Sequence, residues 1–350
     1  MKKLKETPFK FGDPVDGDFY LPRPELTATL RQFLENRIHI VLMGPRRFGK
    51  ASFVLDMLRE LEKEGFSSLY VDIFNITSHR DFLQQLLRAV RAKYMVTQLG
   101  DEDAKIAIQD LLDGLTSLGK KVIVVLDEFQ KITEIDDKGW LEATLRTHFQ
   151  TLKNVTFLFT GSRKNLISDM LNNPARPLYR SCQMIEFPSF GNEFTDWVVN
   201  RFATVGIKCE KKAVEHLREL VQDTPNYVQM VCFHLVAQAK SKVDIKDVEE
   251  ALETVARQNA YAYQTLLNSL TLAQQRALRL AANERQSLFQ KDLLKEPFAK
   301  LHLGPNPRFC PRIRILRKLP TLPKYVNLRR RRTGAKIIEF GHQSEFCKRL

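Results

Sequence analysis

In the first 190 positions of this 350-residue chain, some apolar residues are grouped in short runs. After position 190, apolar residues recur at helical spacing instead. Short, mainly apolar stretches predict buried strands, and five of them occur. They are residues 38–43, 68–74, five unbroken apolar residues within 121–130, residues 155–160 and residues 184–187. Between these runs, apolar residues repeat every three or four positions, which predicts helical crossovers. Strands joined by such crossovers run parallel, so the pattern predicts an α/β fold with a five-stranded, doubly wound parallel sheet.

Helical patterns also precede and follow the predicted strands. A helix is predicted to begin near Pro24, with an apolar face made of Leu26, Leu30, Phe33 and Leu34. Crossover helices are predicted to start at residue 50 and to cover residues 78–94, 103–118 and 138–151. After residue 190 the strand pattern stops, and helices are predicted at residues 193–204, 211–221, 227–240 and 244–270. The chain therefore divides into a core over residues 1–190 and a helical second domain over residues 191–270.

The first predicted strand leads into a glycine-rich loop that ends where a helix begins. The loop and the first helical residues are Gly44, Pro45, Arg46, Arg47, Phe48, Gly49, Lys50, Ala51 and Ser52. Glycines at this spacing let backbone N–H groups turn towards phosphate oxygens at the positive end of the helix, and Lys50 is placed to reach the outer phosphates. The next position ordinarily carries a hydroxyl that binds Mg²⁺, but here it is Ala51. The Ser52 hydroxyl is a poor substitute, since it points about 100° away round the helix.

Two carboxylates follow the apolar run of the third predicted strand. Asp127 and Glu128 stand at its carboxyl end, which is the edge of a parallel sheet where ligands bind. Asp127 is predicted to hold Mg²⁺, directly or through water, and Glu128 to polarise the attacking water as a general base. An acidic start to an exposed loop is the alternative for this stretch alone. The phosphate-binding loop makes the catalytic interpretation the stronger one.

Polar residues also follow the fourth predicted strand. Ser162 and Arg163 are expected beside the central strands and close to a bound γ-phosphate, so that either residue is a candidate to sense it. Ser162 is equally a candidate for the N-cap of the next helix. The sequence leaves both roles open.

The amino-acid composition bears on the cellular compartment of the protein and on the classes of partner that it binds. Hydrophobic residues make up 43% of the chain, and no apolar run approaches the ~18 residues of a membrane span. The five cysteines are scattered singly, which predicts a reducing cytoplasm and argues against structural zinc. The formal net charge is +14, but residues 296–350 hold 14 of the 55 Lys and Arg and only three of the 41 Asp and Glu. The rest of the chain is thus nearly neutral, which weakens a nucleic-acid interpretation.

Together, these motifs resemble the P-loop ATPases of the AAA+/STAND type, specifically the archaeal-type ATPase group that also occurs in bacteria. The resemblance covers about residues 11–295. The matching positions are the entry segment Arg23-Pro24-Glu25-Leu26, the loop 44–50, Asp127-Glu128 with Gln130, Leu145-Arg146 with Gln150, Gly161-Ser162, residues 177–180 and residues 224–227.

The resemblance implies ATP and Mg²⁺ as cofactors. It places Arg23 and Pro225 near the adenine, and it makes residues 191–270 a helical lid. Members of the family usually continue into a winged helix that reads DNA, and residues 271–295 resemble its start. Ala51 departs from the family pattern and puts hydrolysis in doubt, while nucleotide binding remains expected.

Residues 296–350 depart from the family pattern more strongly. They include Pro305, Pro307 and Pro311, whose density excludes a helix, and a run of four arginines at 329–332. One hypothesis is a shifted reading frame, because codons for residues 303–310 read one nucleotide later can encode a capped helix start. The alternative is a native, disordered basic tail.

Three functions remain open from the sequence. The first is an ATPase that couples ATP binding and slow hydrolysis to motion of the lid against the core. The second is a nucleotide-gated binding module whose hydrolysis is impaired by Ala51, and the third is a DNA-binding protein acting through a winged helix. A DNA or protein partner is expected at the C-terminal region, and a membrane partner is not. The oligomeric state is open, because Arg146, Arg163 and Arg180 are each conceivable trans-acting arginines.

Overall fold

The computed structural model of the protein describes residues 7–93, 103–136, 139–238, 240–272 and 274–275. The described residues fall into two compact units. One is Pro14–Pro188, here called the sheet unit, and the other, the helical unit, contains the described residues before Pro14 and after Pro188. Most of the predicted winged helix and the whole of the predicted tail lie outside the described residues.

The described residues of the sheet unit form one five-stranded sheet. Its strands are β1 (Ile40–Met43), β2 (Ser67–Asp72), β3 (Val122–Asp127), β4 (Val155–Gly161) and β5 (Gln183–Glu186). Their spatial order is β2-β3-β4-β1-β5, and every neighbouring pair is parallel. The predicted five-stranded parallel sheet is therefore confirmed.

Helices cover both faces of this sheet. They are α1 (Pro24–Glu35), α2 (Lys50–Lys63), α3 (His79–Lys93), α4 (Ala104–Gly114), α5 (Ile132–Ile135), α6 (Trp140–Thr151) and α7 (Lys164–Asn172). Successive side chains of a strand point to opposite faces. Accordingly Val41 and Val124 belong to one buried cluster, whereas Leu42 and Val125 belong to another. Burial on both faces explains why β1 and the first five residues of β3 are unbroken apolar runs.

The helical unit is made of five further helices and a very short sheet. The helices are α8 (Glu193–Thr204), α9 (Lys211–Leu220), α10 (Pro225–Ala237), α11 (Ile245–Gln258) and α12 (Ala260–Asn268). The strands β6 (Lys208–Cys209) and β7 (Lys242–Val243) pair in parallel. The prediction that no strand follows residue 190 was therefore wrong, because two-residue strands are too short to produce an apolar run.

One of the helices predicted for this unit is divided into two helices in the structure. The pattern over residues 244–270 predicted continuity, but α11 ends at Gln258 and α12 begins at Ala260. The intervening Asn259 donates from both its backbone N–H and its side-chain amide to the carbonyl of Val255. Asparagine side chains compete in this way with regular helical hydrogen bonds, and a break of one residue does not disturb apolar spacing enough to be noticed.

The segment before Pro14 packs within the helical unit. Phe9 is buried, with its ring centroid 4.8 Å from that of Phe202 and 6.3 Å from that of Trp197. The backbone N–H of Lys10 donates to the side-chain oxygen of Gln229 at 3.2 Å. No helix within the described residues is long and apolar enough to cross a membrane.

Candidate functional site

The glycine-rich loop lies at the carboxyl end of β1, between the ends of β4 and β5. The N–H of Gly44 donates to the carbonyl of Gly161 at 3.1 Å, which joins the loop to the end of β4. Arg47 and Gly49 both have positive φ, at 66° and 89°, and Gly49 is the residue immediately before α2. The chain thus turns sharply at the start of α2, as a phosphate-binding loop requires, and the cradle itself stays a prediction.

Lys50 is buried inside this loop. As the first residue of α2, it donates from Nζ to the carbonyl of Gly44 at 2.8 Å and to that of Pro45 at 2.9 Å. Burial lowers the pKa of Lys50, and the nearby carboxylates of Glu128 and Asp127 oppose that shift. The Lys50 ammonium group therefore lies inside the loop, at the place where a phosphate is predicted to bind.

The two residues after Lys50 provide little for a metal ion. Ala51 has no side-chain oxygen, and the buried Ser52 hydroxyl accepts a hydrogen bond from the N–H of Val15 at 2.9 Å. Ser52 is thereby engaged with the segment that precedes α1. Its predicted role in cofactor binding stays a prediction.

Asp127 is the last residue of β3, and hydroxyl groups from both neighbouring strands donate to it. Tyr70 of β2 donates to Oδ2, and Thr160 of β4 donates to Oδ1. The N–H of Glu128 also donates to Oδ1, at 3.0 Å. Burial raises the pKa of Tyr70, and the charge and hydrogen bond of Asp127 raise it further, so that the phenol remains a donor. Sequence reasoning missed both hydroxyls, because β2 and β4 also contain other polar side chains, such as Ser68 and Thr156, that do not reach the site.

Glu128 is held in place by three side chains. Its backbone is left-handed, with φ at 60°, which is an unusual conformation for a residue other than glycine. Oε2 accepts hydrogen bonds from Ser162 at 2.9 Å and from Gln130, while Arg46 Nε lies 3.7 Å from Oε1. Gln130, which sequence analysis noted only as part of the family motif, is 1% exposed and therefore orients the carboxylate from inside the core.

Of the two predicted γ-phosphate sensors, Ser162 is the one placed beside Glu128. Arg163 instead donates to Glu134 at 2.5 Å, and Glu134 also pairs with Lys131 at 2.7 Å. The alternative N-cap role for Ser162 was wrong, since α7 begins at Lys164 and the residue before it is Arg163. The structure thus separates two neighbours that the sequence could not distinguish.

The loop residue Arg46 is in contact with several groups of the site. Its Nε lies 3.4 Å from the Ser162 hydroxyl, and its guanidinium lies 4.8 Å from the centre of the Phe74 ring. Together with the contact to Glu128, these distances show that Arg46 is a second cation at the site, in addition to Lys50. Phe48, another predicted loop residue, packs against the core cluster beneath α2.

The predicted adenine contacts lie in different units. In the sheet unit, Arg23 immediately precedes α1 and donates to the carbonyl of Pro188 at 2.8 Å, with its guanidinium 4.4 Å from the centre of the Phe187 ring. Pro225 is buried at the start of α10, in the helical unit. Both adenine roles stay predictions.

Two other arginines of the family motif have contacts within the chain. Arg146 Nη1 donates to the carbonyls of Pro177 and Tyr179 and to the Ser181 hydroxyl, at 3.0, 3.3 and 2.6 Å. It therefore fastens the loop that leads to β5. Arg180 is exposed, with its guanidinium 5.2 Å from the centre of the Tyr179 ring.

The close packing behind Glu128 predicts a specific effect of Gly161→Ala. A Cβ at Gly161 would overlap Ile167 and lie 2.5 Å from Gln130 Oε1. We expect the free energy of unfolding to fall by about 1–3 kcal/mol, as for other overpacked cores, in urea unfolding followed by circular dichroism. Gly114→Ala is the matched control, because nothing lies within 4 Å of the added methyl at the end of α4. Equal losses in the two variants would contradict this account of the packing.

The side chains at this site do not fit a Mg²⁺ ion held mainly by the protein. Among residues 7–93, 103–136, 139–238, 240–272 and 274–275, no group of three or more His, Cys, Asp or Glu side chains is arranged to hold a metal. The position after Lys50 lacks an oxygen, and both carboxylate oxygens of Asp127 already accept hydroxyl hydrogen bonds. Mg²⁺ prefers six oxygen ligands in near-ideal octahedral geometry, which this set does not supply.

A parallel sheet whose first strand ends in a lysine-containing glycine loop, beside an acidic pair on a nearby strand, defines the class of P-loop nucleotide-binding ATPase domains. Residues 26–190 match the sequence model of an ATPase domain found predominantly in Archaea. Over these residues the chain is similar to that archaeal-type family, which agrees with the resemblance expected from the sequence. A comparison with curated proteins found no significant match.

Three solved structures that are similar to this one come from Archaea. A Walker-type ATPase of Pyrococcus abyssi is 17% identical with a TM-score of 0.59, and the match covers 80% of this chain and 83% of that one. The ORC2 protein of Aeropyrum pernix, solved with ADPNP and ADP, is 17% identical with a TM-score of 0.56 over 76% of each chain. The ORC1 protein of the same organism, solved in complex with DNA, is 17% identical with a TM-score of 0.55 over 75% and 72%. At this identity the likeness shows the fold alone.

Proposed function

We propose that the protein binds ATP at the loop 44–50 and couples binding, with slow hydrolysis, to motion of the helical lid against the core. The observation that carries the proposal is Lys50, whose buried ammonium lies within a loop at the start of α2. Backbone N–H groups and a buried cation together form a site for a polyphosphate. The match of residues 26–190 to an ATPase domain model supports ATP as the nucleotide.

In this proposal each polar group at the sheet edge has a separate role. Lys50 and Arg46 bind the outer phosphates, and Glu128 accepts a proton from the attacking water. Ser162, which donates to Glu128, is also within reach of a terminal phosphate at the end of β4. Glu128 already has three partners, so it is oriented before substrate arrives, which is the arrangement that favours general-base catalysis.

A second candidate is a nucleotide-gated binding module with no useful turnover. Ala51 favours it, because the hydroxyl that normally helps to bind Mg²⁺ is missing while the phosphate loop is intact. This candidate has the same nucleotide site as the first and differs only in whether the nucleotide is hydrolysed.

A DNA partner remains a further proposal. The ORC1 structure in complex with DNA supports it only through a shared fold. The residues on which it depends, those of the predicted winged helix and the predicted basic tail, are mostly outside the described residues. A protein partner, the oligomeric state and a cytoplasmic location likewise remain predictions from the sequence.

The proposal is tested by measuring ATP binding and phosphate release, with and without Mg²⁺, for the protein and for Ala51→Thr. We expect both to bind ATP and Ala51→Thr to release phosphate at least about tenfold faster with Mg²⁺, because one metal ligand is restored. Calorimetry measures binding, and a coupled phosphate assay measures release.

The outcomes separate the two candidates. Release by Ala51→Thr alone would favour the binding module for the natural chain, whereas equal release by both would favour the ATPase. Absence of ATP binding in both proteins would overturn the nucleotide site itself.

A further inference from the structure

Three adjacent strands contribute one residue each to a hydrogen-bonded group at the sheet edge. Thr160 follows Phe159, which is aligned with Leu126, so that Thr160 is level with Asp127 across the β3–β4 pair. Tyr70 is aligned with Val125, two residues before Asp127, and its long side chain reaches the carboxylate from β2. We call Tyr70, Asp127 and Thr160 the hydroxyl–carboxylate cluster.

The cluster uses most of the hydrogen-bonding capacity of Asp127. An ionised carboxylate has about four acceptor positions. Tyr70, Thr160 and the N–H of Glu128 donate to three of them. A metal ion, or the water that links it to the protein, must therefore displace a donor or use the one position that is left.

Displacing either hydroxyl is unfavourable. Thr160 has 0% exposure, so its hydroxyl has no access to water if it leaves Asp127. The Tyr70 side chain is partly buried and packs against the core, so its phenol also has limited access to water. A buried donor left without a partner costs about 1–3 kcal/mol, and Mg²⁺ must in addition give up part of its hydration shell.

The other usual source of a metal ligand is absent from the same site. Ala51 supplies no oxygen, and the Ser52 hydroxyl is bound to Val15. Positive charge is nevertheless present, because Lys50 and Arg46 border the loop and the N-terminus of α2 adds its dipole. These groups can neutralise a triphosphate without a divalent cation.

From this arrangement we propose that Tyr70 and Thr160 are positioning residues that keep the Asp127 carboxylate bound to hydroxyls, so that the loop takes a nucleoside triphosphate free of Mg²⁺. This inference rests on the proposed nucleotide site. It adds that metal dependence is suppressed at two places, the hydroxyl–carboxylate cluster and Ala51, so that a change at either one raises the preference for Mg²⁺–ATP and a change at both raises it most.

The test is the ratio of ATP affinities in Mg²⁺ and in EDTA, measured by calorimetry on the full chain. We expect a ratio within about threefold for the natural protein, because a ligand that gains no contact from the metal gains no affinity from it. The double variant Ala51→Thr/Tyr70→Phe is expected to prefer Mg²⁺ at least about tenfold, since one ligand is added and one competing donor is removed. Binding of Mn²⁺ with ATP, followed by its electron paramagnetic resonance signal, should appear in the double variant and be weak in the natural protein.

A control double variant and a replacement for Tyr70→Phe complete the test. Ala51→Thr/Tyr179→Phe removes a tyrosine hydroxyl away from the cluster and should show a smaller ratio than Ala51→Thr/Tyr70→Phe. Thr160→Val, which is nearly isosteric, replaces Tyr70→Phe if the latter does not fold by circular dichroism. If the natural protein binds ATP tenfold better with Mg²⁺, or if the two double variants have equal ratios, the inference is wrong although the nucleotide site stands. Absence of ATP binding under both conditions instead overturns the proposed function.

Discussion

Replacing Lys50 by alanine is expected to weaken ATP binding by at least about 100-fold, or roughly 2.7 kcal/mol. The Lys50 ammonium is held inside the loop by the carbonyls of Gly44 and Pro45, beside the N–H groups that would face the phosphates. A hydrogen bond to a charged group contributes about 1.5–3 kcal/mol, so the loss of one such phosphate contact accounts for the effect. Calorimetric titration of ATP into both proteins measures it.

The control for this experiment is Lys63→Ala. Lys63 is in the last turn of the same helix but is exposed and far along the helix from the loop. It should bind ATP like the natural protein. Lys50→Ala should also remain folded, because burial already disfavours the charged form of this side chain. Unchanged ATP affinity in Lys50→Ala would contradict the placement of the phosphates in the loop.

The second large effect is a loss of stability in mild acid caused by His39. The ring is buried, accepts a hydrogen bond from the N–H of Phe157 at 3.0 Å, and stacks 4.0 Å from the centre of the Phe149 ring. Burial lowers its pKa to about 4, although a backbone hydrogen bond with Phe149 opposes the shift. In the unfolded chain the pKa is about 6.5.

The direction of the pH effect follows from these two values. Below pH 6.5 the unfolded chain binds a proton that the folded protein excludes, so unfolding becomes more favourable as the pH falls. The contribution of His39 is fully present above pH 6.5 and is lost as the pH falls to about 4, by roughly 3 kcal/mol. Urea unfolding at pH 7 and at pH 4.5 measures this loss.

Comparison with His39→Gln isolates this residue from the carboxylates that also titrate in acid. The variant should be less stable than the natural protein at pH 7, and the difference should shrink at pH 4.5. His216→Gln is the matched control, because His216 is only partly buried and pairs with Glu249 at 3.1 Å. A difference between the natural protein and His39→Gln that is equal at both pH values would contradict the buried neutral imidazole.

Much of the sheet unit could be predicted because its signals are local. The strand β3 is buried on both faces, and therefore its five apolar residues from Val122 to Leu126 were sufficient to place it. The loop from Gly44 to Lys50 was equally clear, since its glycine spacing has a direct reason in phosphate binding. The division of residues 244–270 into α11 and α12 was missed, because one asparagine hardly changes the spacing of apolar residues.

The contacts within the candidate site could not be predicted in the same way. Ser162 and Arg163 are adjacent in sequence, but one reaches Glu128 and the other Glu134. Tyr70 and Thr160 are 90 positions apart, and they meet at Asp127 only because β3 lies between β2 and β4. Such contacts depend on strand order and register, which apolar spacing along a single strand does not contain.

The sequence by itself thus determined most elements of the sheet unit and the position of the glycine-rich loop, because periodic burial and glycine geometry act over a few residues. The tertiary structure alone decided which side chains surround Asp127 and Glu128, and hence how the site is prepared for a nucleotide. Those contacts join strands far apart in the chain, and their geometry exists only after the sheet has formed.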